Sequence, residues 1–381
     1  MFDVFLTGSV AFIITFLAIP VVLQIAEQKK LFDVPDDRKI HLRPVVSLGG
    51  VGIFGGFLLA SLLSISEYAN PEFQYFFAAA LVIFFLGLKD DLIVLSAFKK
   101  IIGQIIAASI LIHLGGIKLT SMHGLFGFYE VSDAFGLAIS YLTIIVVINS
   151  FNLIDGVDGL ASTLGLLTTM IFGIYFYAAD QLSYSLLSFS MCGSLLAFLI
   201  FNHHPAKIFM GDSGSLMIGL VNAILVIKFI NIADAPAAVV PIASPVAVAF
   251  AILMVPLFDT LRVFSIRIFN GRSPFTPDRN HIHHLMLNRG LNHTSITFSC
   301  LVINLFFVFL AYSGKALGSN YLLLAMFTIS FSGIAVLYYR KSRPRRLVVA
   351  KHLNENLNAE FKPAPKVVAL ANKETAMAEQ K

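Results

Sequence analysis

The chain has 381 residues, 57% of them apolar and only 13% charged, where a soluble domain carries roughly a quarter charged. Together with a mean hydropathy of +0.83, this excludes a soluble globular protein, a disordered chain and a coiled coil. The net charge of +5 bears on orientation in a bilayer rather than on an anionic partner, and no nucleic-acid partner is indicated.

Apolar stretches near the roughly 20 residues that a helical crossing needs fall at 3–24, 47–66, 73–88, 100–117, 134–151, 160–179, 183–202, 213–231, 238–261, 294–312 and 320–339. They predict an all-α, polytopic integral membrane protein of about eleven transmembrane helices. The first run has no basic region before it and no small-residue cleavage site after it, so it reads as a span and not a signal peptide. Assigning the intervening segments alternately to two sides places 24 of the 27 basic residues on one of them, leaving Lys118, Lys228 and Lys315 on the other. The positive-inside bias then puts the N-terminus outside and the C-terminus in the cytoplasm. Residues 1–339 form the transmembrane domain. Residues 340–381 open with Arg340, Lys341, Arg343, Arg345 and Arg346 and continue polar, which predicts a basic, mobile cytoplasmic tail that meets anionic head groups. Cys192 and Cys300 sit in apolar runs, with no disulfide or zinc pattern.

The span centres are nearly free of charge. Acids and histidines crowd instead at the cytoplasmic helix ends: Asp90, Asp91, Asp155, Asp158, Asp212, Asp259, His203, His204, His281, His283 and His284. A proton-coupled transporter tends to place carboxylates near the midplane; a rim of acids on one face fits chemistry at the membrane surface. The adjacent pair Asp90-Asp91 must be solvated, bound to a cation or sharing a proton. In the run from Asn149 to Gly159, helical spacing would set Asn149, Asn152 and Asp155 on one face, and two Asp-Gly steps would break the helix. Oxygen donors converging at a helix end suit a hard cation such as Mg²⁺. Asp212, in Met210-Gly211-Asp212-Ser213-Gly214, is either the N-cap of the eighth span or part of a metal and phosphate site. His281-Ile282-His283-His284, flanked by Arg272, Arg279 and Arg289, reads as a diphosphate cradle more than a soft-metal cluster. Gly49, Gly50 and Gly52 permit tight helix packing or a re-entrant turn.

Taken together these segments resemble the polyprenyl-phosphate N-acetylhexosamine-1-phosphate transferases, bacterial membrane enzymes that start lipid-linked glycan assembly. The resemblance runs from about Asp33 to His284. The His-Ile-His-His form after Asp278-Arg279 is similar to the branch that uses UDP-GlcNAc. It implies an inner-membrane enzyme with its site facing the cytoplasm. There it would transfer GlcNAc-1-phosphate from UDP-GlcNAc, or a related UDP-HexNAc, to undecaprenyl phosphate and release UMP. Mg²⁺ is the implied cofactor, with Mn²⁺ as an alternative, and a homodimer is compatible. By resemblance Asp90 and Asp91 match the acidic pair at the lipid phosphate, and Asn152 and Asp212 match metal-holding positions. Asp155 matches a position needed for activity and Asp158 one near the uracil. Lys100 is a phosphate contact, and Arg279, His281, His283 and His284 match the diphosphate-binding loop. One departure stands out: the family's Asp-Asp-x-x-Asp reads Asp90-Asp91-Leu92-Ile93-Val94 here, so no third acid is assigned.

Two rivals remain on sequence grounds. A secondary transporter of an anionic metabolite would explain the spans and the basic face but not four acid-bearing loops. A non-catalytic scaffold would tolerate loss of those acids.

Overall fold

The computed structural model describes residues 1–31, 45–65, 70–234, 238–273 and 280–339. The basic tail and Arg279 lie outside the described residues. Each predicted apolar stretch carries a helix, although the one at 238–261 is helical only from Pro245 and is broken at Leu253. The helices are α1 (Phe2–Gln28), α2 (Gly49–Ser64), α3 (Glu72–Leu92), α4 (Ala97–Ser109, running on through a π turn to Leu114), α5 (Asp133–Ile154), α6 (Leu160–Ala178), α7 (Leu182–Asn202), α8 (Gly211–Ala233), α9 (Pro245–Ile252), α10 (Met254–Phe269), α11 (Ile282–Asn288), α12 (His293–Ser313) and α13 (Ser319–Tyr339).

Among the described residues, eight of these helices are long and apolar enough to cross a bilayer, or nine if α9 and α10 are one bent span. The expected eleven is therefore not reached. α2 has only 16 residues, and α3 carries Lys89-Asp90-Asp91 in its last turn. The α9–α10 pair bends by 87°, which frees backbone groups that a low-dielectric interior cannot solvate. Asn304 of α12, fully buried, satisfies both sides of the break: its Oδ1 accepts from Val255 N at 3.1 Å and its Nδ2 donates to Ile252 O at 2.9 Å.

The fold is not wholly helical. Strands β1 (Ser121–Leu125) and β2 (Phe128–Glu130) pair antiparallel across a two-residue turn, Phe126-Gly127, in which both residues have positive φ. That is the turn geometry a tight hairpin favours.

α8 lies at the centre, buried along most of its length, with α2, α3, α5 and α6 packed on it. Its small residues Gly211, Ser213, Gly214, Ser215 and Gly219 let neighbouring backbones approach, the usual means of helix association in lipid. α1 and α13 are peripheral and turn Phe5, Leu17, Tyr321 and Leu324 outward. Such a surface is a liability in water and ordinary against acyl chains. The α3–α8 contact fixes the site. A Cβ on Gly87 would stand 2.5 Å from Ser213 Cα, so glycine lets the end of α3 lie against the start of α8.

Candidate active site

Four helix ends meet at one end of the bundle: the C-terminal ends of α3 and α5 and the N-terminal starts of α4 and α8. They bring together five of the expected residues. The Lys100 ammonium bridges two carboxylates, lying 2.6 Å from Asp212 Oδ2 and in contact with Asp90 Oδ2. Asp90 Oδ1 also accepts from Leu95 N at 2.5 Å. Asn152 Nδ2 donates to Asp212 Oδ1 at 2.9 Å and to Ser215 Oγ at 3.0 Å.

Asp91 points elsewhere. Its Oδ1 accepts from Asp212 N at 2.6 Å, and its Oδ2 from Ser213 N at 3.0 Å and Ser213 Oγ at 2.6 Å. Asp91 thus caps α8 from another helix, satisfying backbone N–H groups that the first turn leaves open. Asp212 is therefore not the N-cap of α8. The N-cap position is Met210, without a side-chain cap, and the Asp212 carboxylate is turned to Lys100 and Asn152 instead.

The Asn149–Gly159 run breaks where its Asp-Gly steps require. α5 ends at Ile154, Asp155 follows with non-helical backbone, and Gly159 starts α6 from the left-handed region. Asn149 does not join the site; it exchanges amide hydrogen bonds with Gln104 of α4, at 2.7 and 3.3 Å. Gly156 carries His283: a Cβ there would lie 2.3 Å from His283 Nε2. The histidine segment therefore packs on the loop that carries Asp155. His281 and His283 stack at 5.6 Å between ring centroids, and His284 lies 4.4 Å from His283. Arg289, expected in the cradle, donates to Tyr338 O at 2.7 Å instead.

Asp158 is buried beside two imidazoles. His204 Nδ1 lies 2.6 Å and His293 Nδ1 3.3 Å from its Oδ2, while Oδ1 has no hydrogen-bond partner. Among the described residues this is the trio of acid and imidazole ligand atoms lying within 4.8 Å of one another; its nitrogen donors suit a borderline transition metal more than Mg²⁺. His293 carried no sequence signal, since a lone histidine at a helix start matches no spacing. Asp259 was visible only as one more acid at a helix end. It accepts from Arg262 Nη2, His281 Nδ1 and Ile282 N, each at 2.9 Å.

The electrostatics divide the acids. Desolvation, with Asp212 adding to it, pushes Asp90 up to about 6 and Asp91 to about 7, against the opposing hydrogen bonds from Lys100 and Ser213. Desolvation and then the charges of Asp212, Asp91 and Asp158 push Asp155 up to about 8. Burial would also raise Asp158, but the hydrogen bonds from His293 and His204 hold it near 2. Burial, then His284, pushes His283 down to about 3.

Mutually repelling carboxylates with an amide oxygen nearby form an all-oxygen donor set, and the Lys100 ammonium between two of them shows that the site accommodates positive charge. These residues fit Mg²⁺. A pH dependence follows. Carboxylates with raised values keep their protons in the folded state while the unfolded chain has lost them, so stability falls as pH rises from about 4 to about 8. Thermal unfolding of the detergent-solubilised protein in chelator is expected to show that fall. Added Mg²⁺ should raise the midpoint more at pH 8 than at pH 5; an equal rise at both would contradict the assignment.

Comparison with known proteins gives a consistent result. The glycosyl transferase family 4 model matches residues 73–230, which hold Asp90 through Asp212. Decaprenyl-phosphate N-acetylglucosaminephosphotransferase of Mycobacterium leprae is 33% identical over 317 residues, 76% of this chain and 78% of the relative. The probable undecaprenyl-phosphate N-acetylglucosaminyl 1-phosphate transferase of Bacillus subtilis is 33% identical over 330 residues, 84% and 87% of the two chains. The undecaprenyl-phosphate alpha-N-acetylglucosaminyl 1-phosphate transferase of Yersinia pestis is 32% identical over 265 residues, 68% and 70%.

Proposed function

The chain belongs to glycosyl transferase family 4, and on that premise we propose that it transfers GlcNAc-1-phosphate from UDP-GlcNAc to undecaprenyl phosphate, releasing UMP. The observation that carries this reading is the convergence of Asp90, Lys100, Asn152 and Asp212 from four helices. The transporter reading is dropped: the relatives are transferases by name, and the acids gather at one end of the bundle and not at its middle.

The reaction joins two polyanions. A lipid-phosphate oxygen attacks the sugar-bearing phosphorus, the bond from that phosphorus to the bridging oxygen breaks, and UMP leaves with the electron pair. Little covalent help is needed; positioning and charge neutralisation dominate. Asp212 and Asn152, with Asp155 nearby on the loop after α5, would hold Mg²⁺, which when bound would supply positive charge to the diphosphate. Lys100 adds a fixed cation at the same place. His281, His283 and His284, stacked together and packed on the Asp155 loop through Gly156, are the diphosphate contacts, and Arg279 belongs to the same segment of sequence. Asp158, kept ionised by its two histidines, is an acceptor on the nucleoside side. Asp90 aligns the lipid phosphate or takes its proton; that phosphate is already largely ionised near neutrality. Asp91, with both oxygens committed to α8, is a poor nucleophile, which favours one in-line displacement over a covalent phospho-aspartate.

The site faces the cytoplasm of a bacterial inner membrane. The charge bias supports this, because the site lies at the helix ends where the basic segments fall. Supporting a lipid acceptor, an apolar groove runs along α5, α8, α9 and α10, lined by Met122, Ile139, Val146, Phe250, Leu257 and Leu261 among others. A polyprenyl chain fits a groove of that character.

UMP release by the purified protein with undecaprenyl phosphate, UDP-GlcNAc and Mg²⁺ tests the reading. Release is expected to need all three and to stop on chelation, and a donor chiral at the transferred phosphorus should give inversion. No UMP under any UDP-HexNAc would overturn the activity; net retention would overturn the single displacement.

A further inference from the structure

We propose that Asp259 is the positioning residue of the histidine segment, setting the ring of His281 for the diphosphate; this rests on the reading of His281 as a diphosphate contact. Asp259 is 1% exposed and lies one turn before Arg262 on α10. Its carboxylate grips the segment twice. Oδ2 lies 2.9 Å from His281 Nδ1, and Oδ1 accepts from Ile282 N at 2.9 Å. Arg262 completes the staple: Nη2 donates to Asp259 Oδ1 at 2.9 Å and to Asn280 O.

A lone buried carboxylate is very costly. Here Arg262 balances it, and the acceptor oxygens turn toward residues 280–282. A carboxylate accepting from Nδ1 keeps a proton on that nitrogen and fixes the ring, leaving Nε2 to face the ligand; a diphosphate, whose oxygens only accept, is met there by an Nε2–H. The same logic orients the imidazole of a Ser-His-Asp triad. The constraint is passed on, because His281 stacks on His283 and His283 rests on Gly156 beside Asp155. A buried anion on α10 thereby registers the histidines against the acidic loop after α5. For a capping role alone, the bond to Ile282 N would suffice; the second bond, to the His281 ring, has no such explanation.

The test uses the full chain in detergent with Mg²⁺, measuring kcat, KM for UDP-GlcNAc and thermal unfolding for Asp259→Asn, Asp259→Glu, His281→Asn and the double variants. Asp259→Asn is expected to raise KM about tenfold and to add little once His281 is asparagine. Should Asp259→Asn fail to fold because Arg262 loses its counter-charge, Asp259→Glu keeps that charge and moves the oxygens. Its KM rise should likewise vanish in the His281→Asn background. Independent, additive effects would overturn the proposal, as would an unchanged KM in both Asp259 variants. Nitrogen NMR of labelled histidine separates the two layers: the Nδ1-protonated form of His281 should be lost in Asp259→Asn. If that signature behaves as stated while His281→Asn leaves KM unchanged, Asp259 still positions the ring and the diphosphate role of His281 is what fails; if the signature does not change, the positioning role fails.

Discussion

Asp212→Asn is expected to lower turnover by roughly a thousandfold, about 4 kcal/mol of transition-state stabilisation, with the fold intact. Asp212 is the node of the site. One oxygen faces Lys100 at 2.6 Å, the other Asn152 at 2.9 Å, and its backbone N–H donates to Asp91. Asparagine keeps the side-chain volume and the backbone bond to Asp91, so the start of α8 stays capped. It removes the formal charge that Lys100 bridges and that a divalent cation needs among its oxygen donors. The loss should therefore appear in kcat and in a steeper Mg²⁺ requirement. The unfolding midpoint in chelator should fall only slightly, since Lys100 loses one counter-ion but keeps Asp90. UMP release at the parental rate would remove Asp212 from the chemistry and with it the Mg²⁺ assignment.

How much of this was legible beforehand depends on the range of the interaction that decides it. The helical membrane architecture follows from composition. The break after Ile154 follows from Asp-Gly steps, which are local. The gathering of Asn152, Asp155 and Asp212 at one end of the bundle follows from the placement of acids at span ends. The span count does not, because α2 is short and the 87° bend between α9 and α10 is held by Asn304, some 50 residues later. The hairpin at 121–130 fell within a gap between spans, where the hydropathy pattern does not speak. The difference between Asp90 and Asp91 was also invisible. They are neighbours of one chemical type, but successive residues of a helix point about 100° apart. One meets Lys100 and the other the start of α8, more than 120 residues further along the chain. Likewise Asn149 shares the spacing of Asn152 yet belongs to Gln104.

That same divergence gives the second large effect, a separation of stability from activity within one dipeptide. Asp91→Ala strips three accepted hydrogen bonds from the first turn of α8 and leaves buried N–H groups of that turn unpaired. Loss of a cap and of charge-assisted bonds should destabilise the protein by on the order of 3 kcal/mol. Because α8 is the central helix and carries Asp212, activity should fall with the unfolding midpoint. Asp90→Asn, by contrast, leaves the backbone cap of α8 in place. It removes one of the two carboxylates at Lys100 and the group placed at the lipid phosphate, so turnover should drop by roughly a hundredfold with the midpoint almost unmoved. Thermal unfolding and UMP release on the two variants, side by side, measure both quantities. If Asp91→Ala unfolds like the parent while losing all activity, Asp91 acts on substrate and its hold on α8 is incidental. If Asp90→Asn is the destabilised variant, the two roles are reversed.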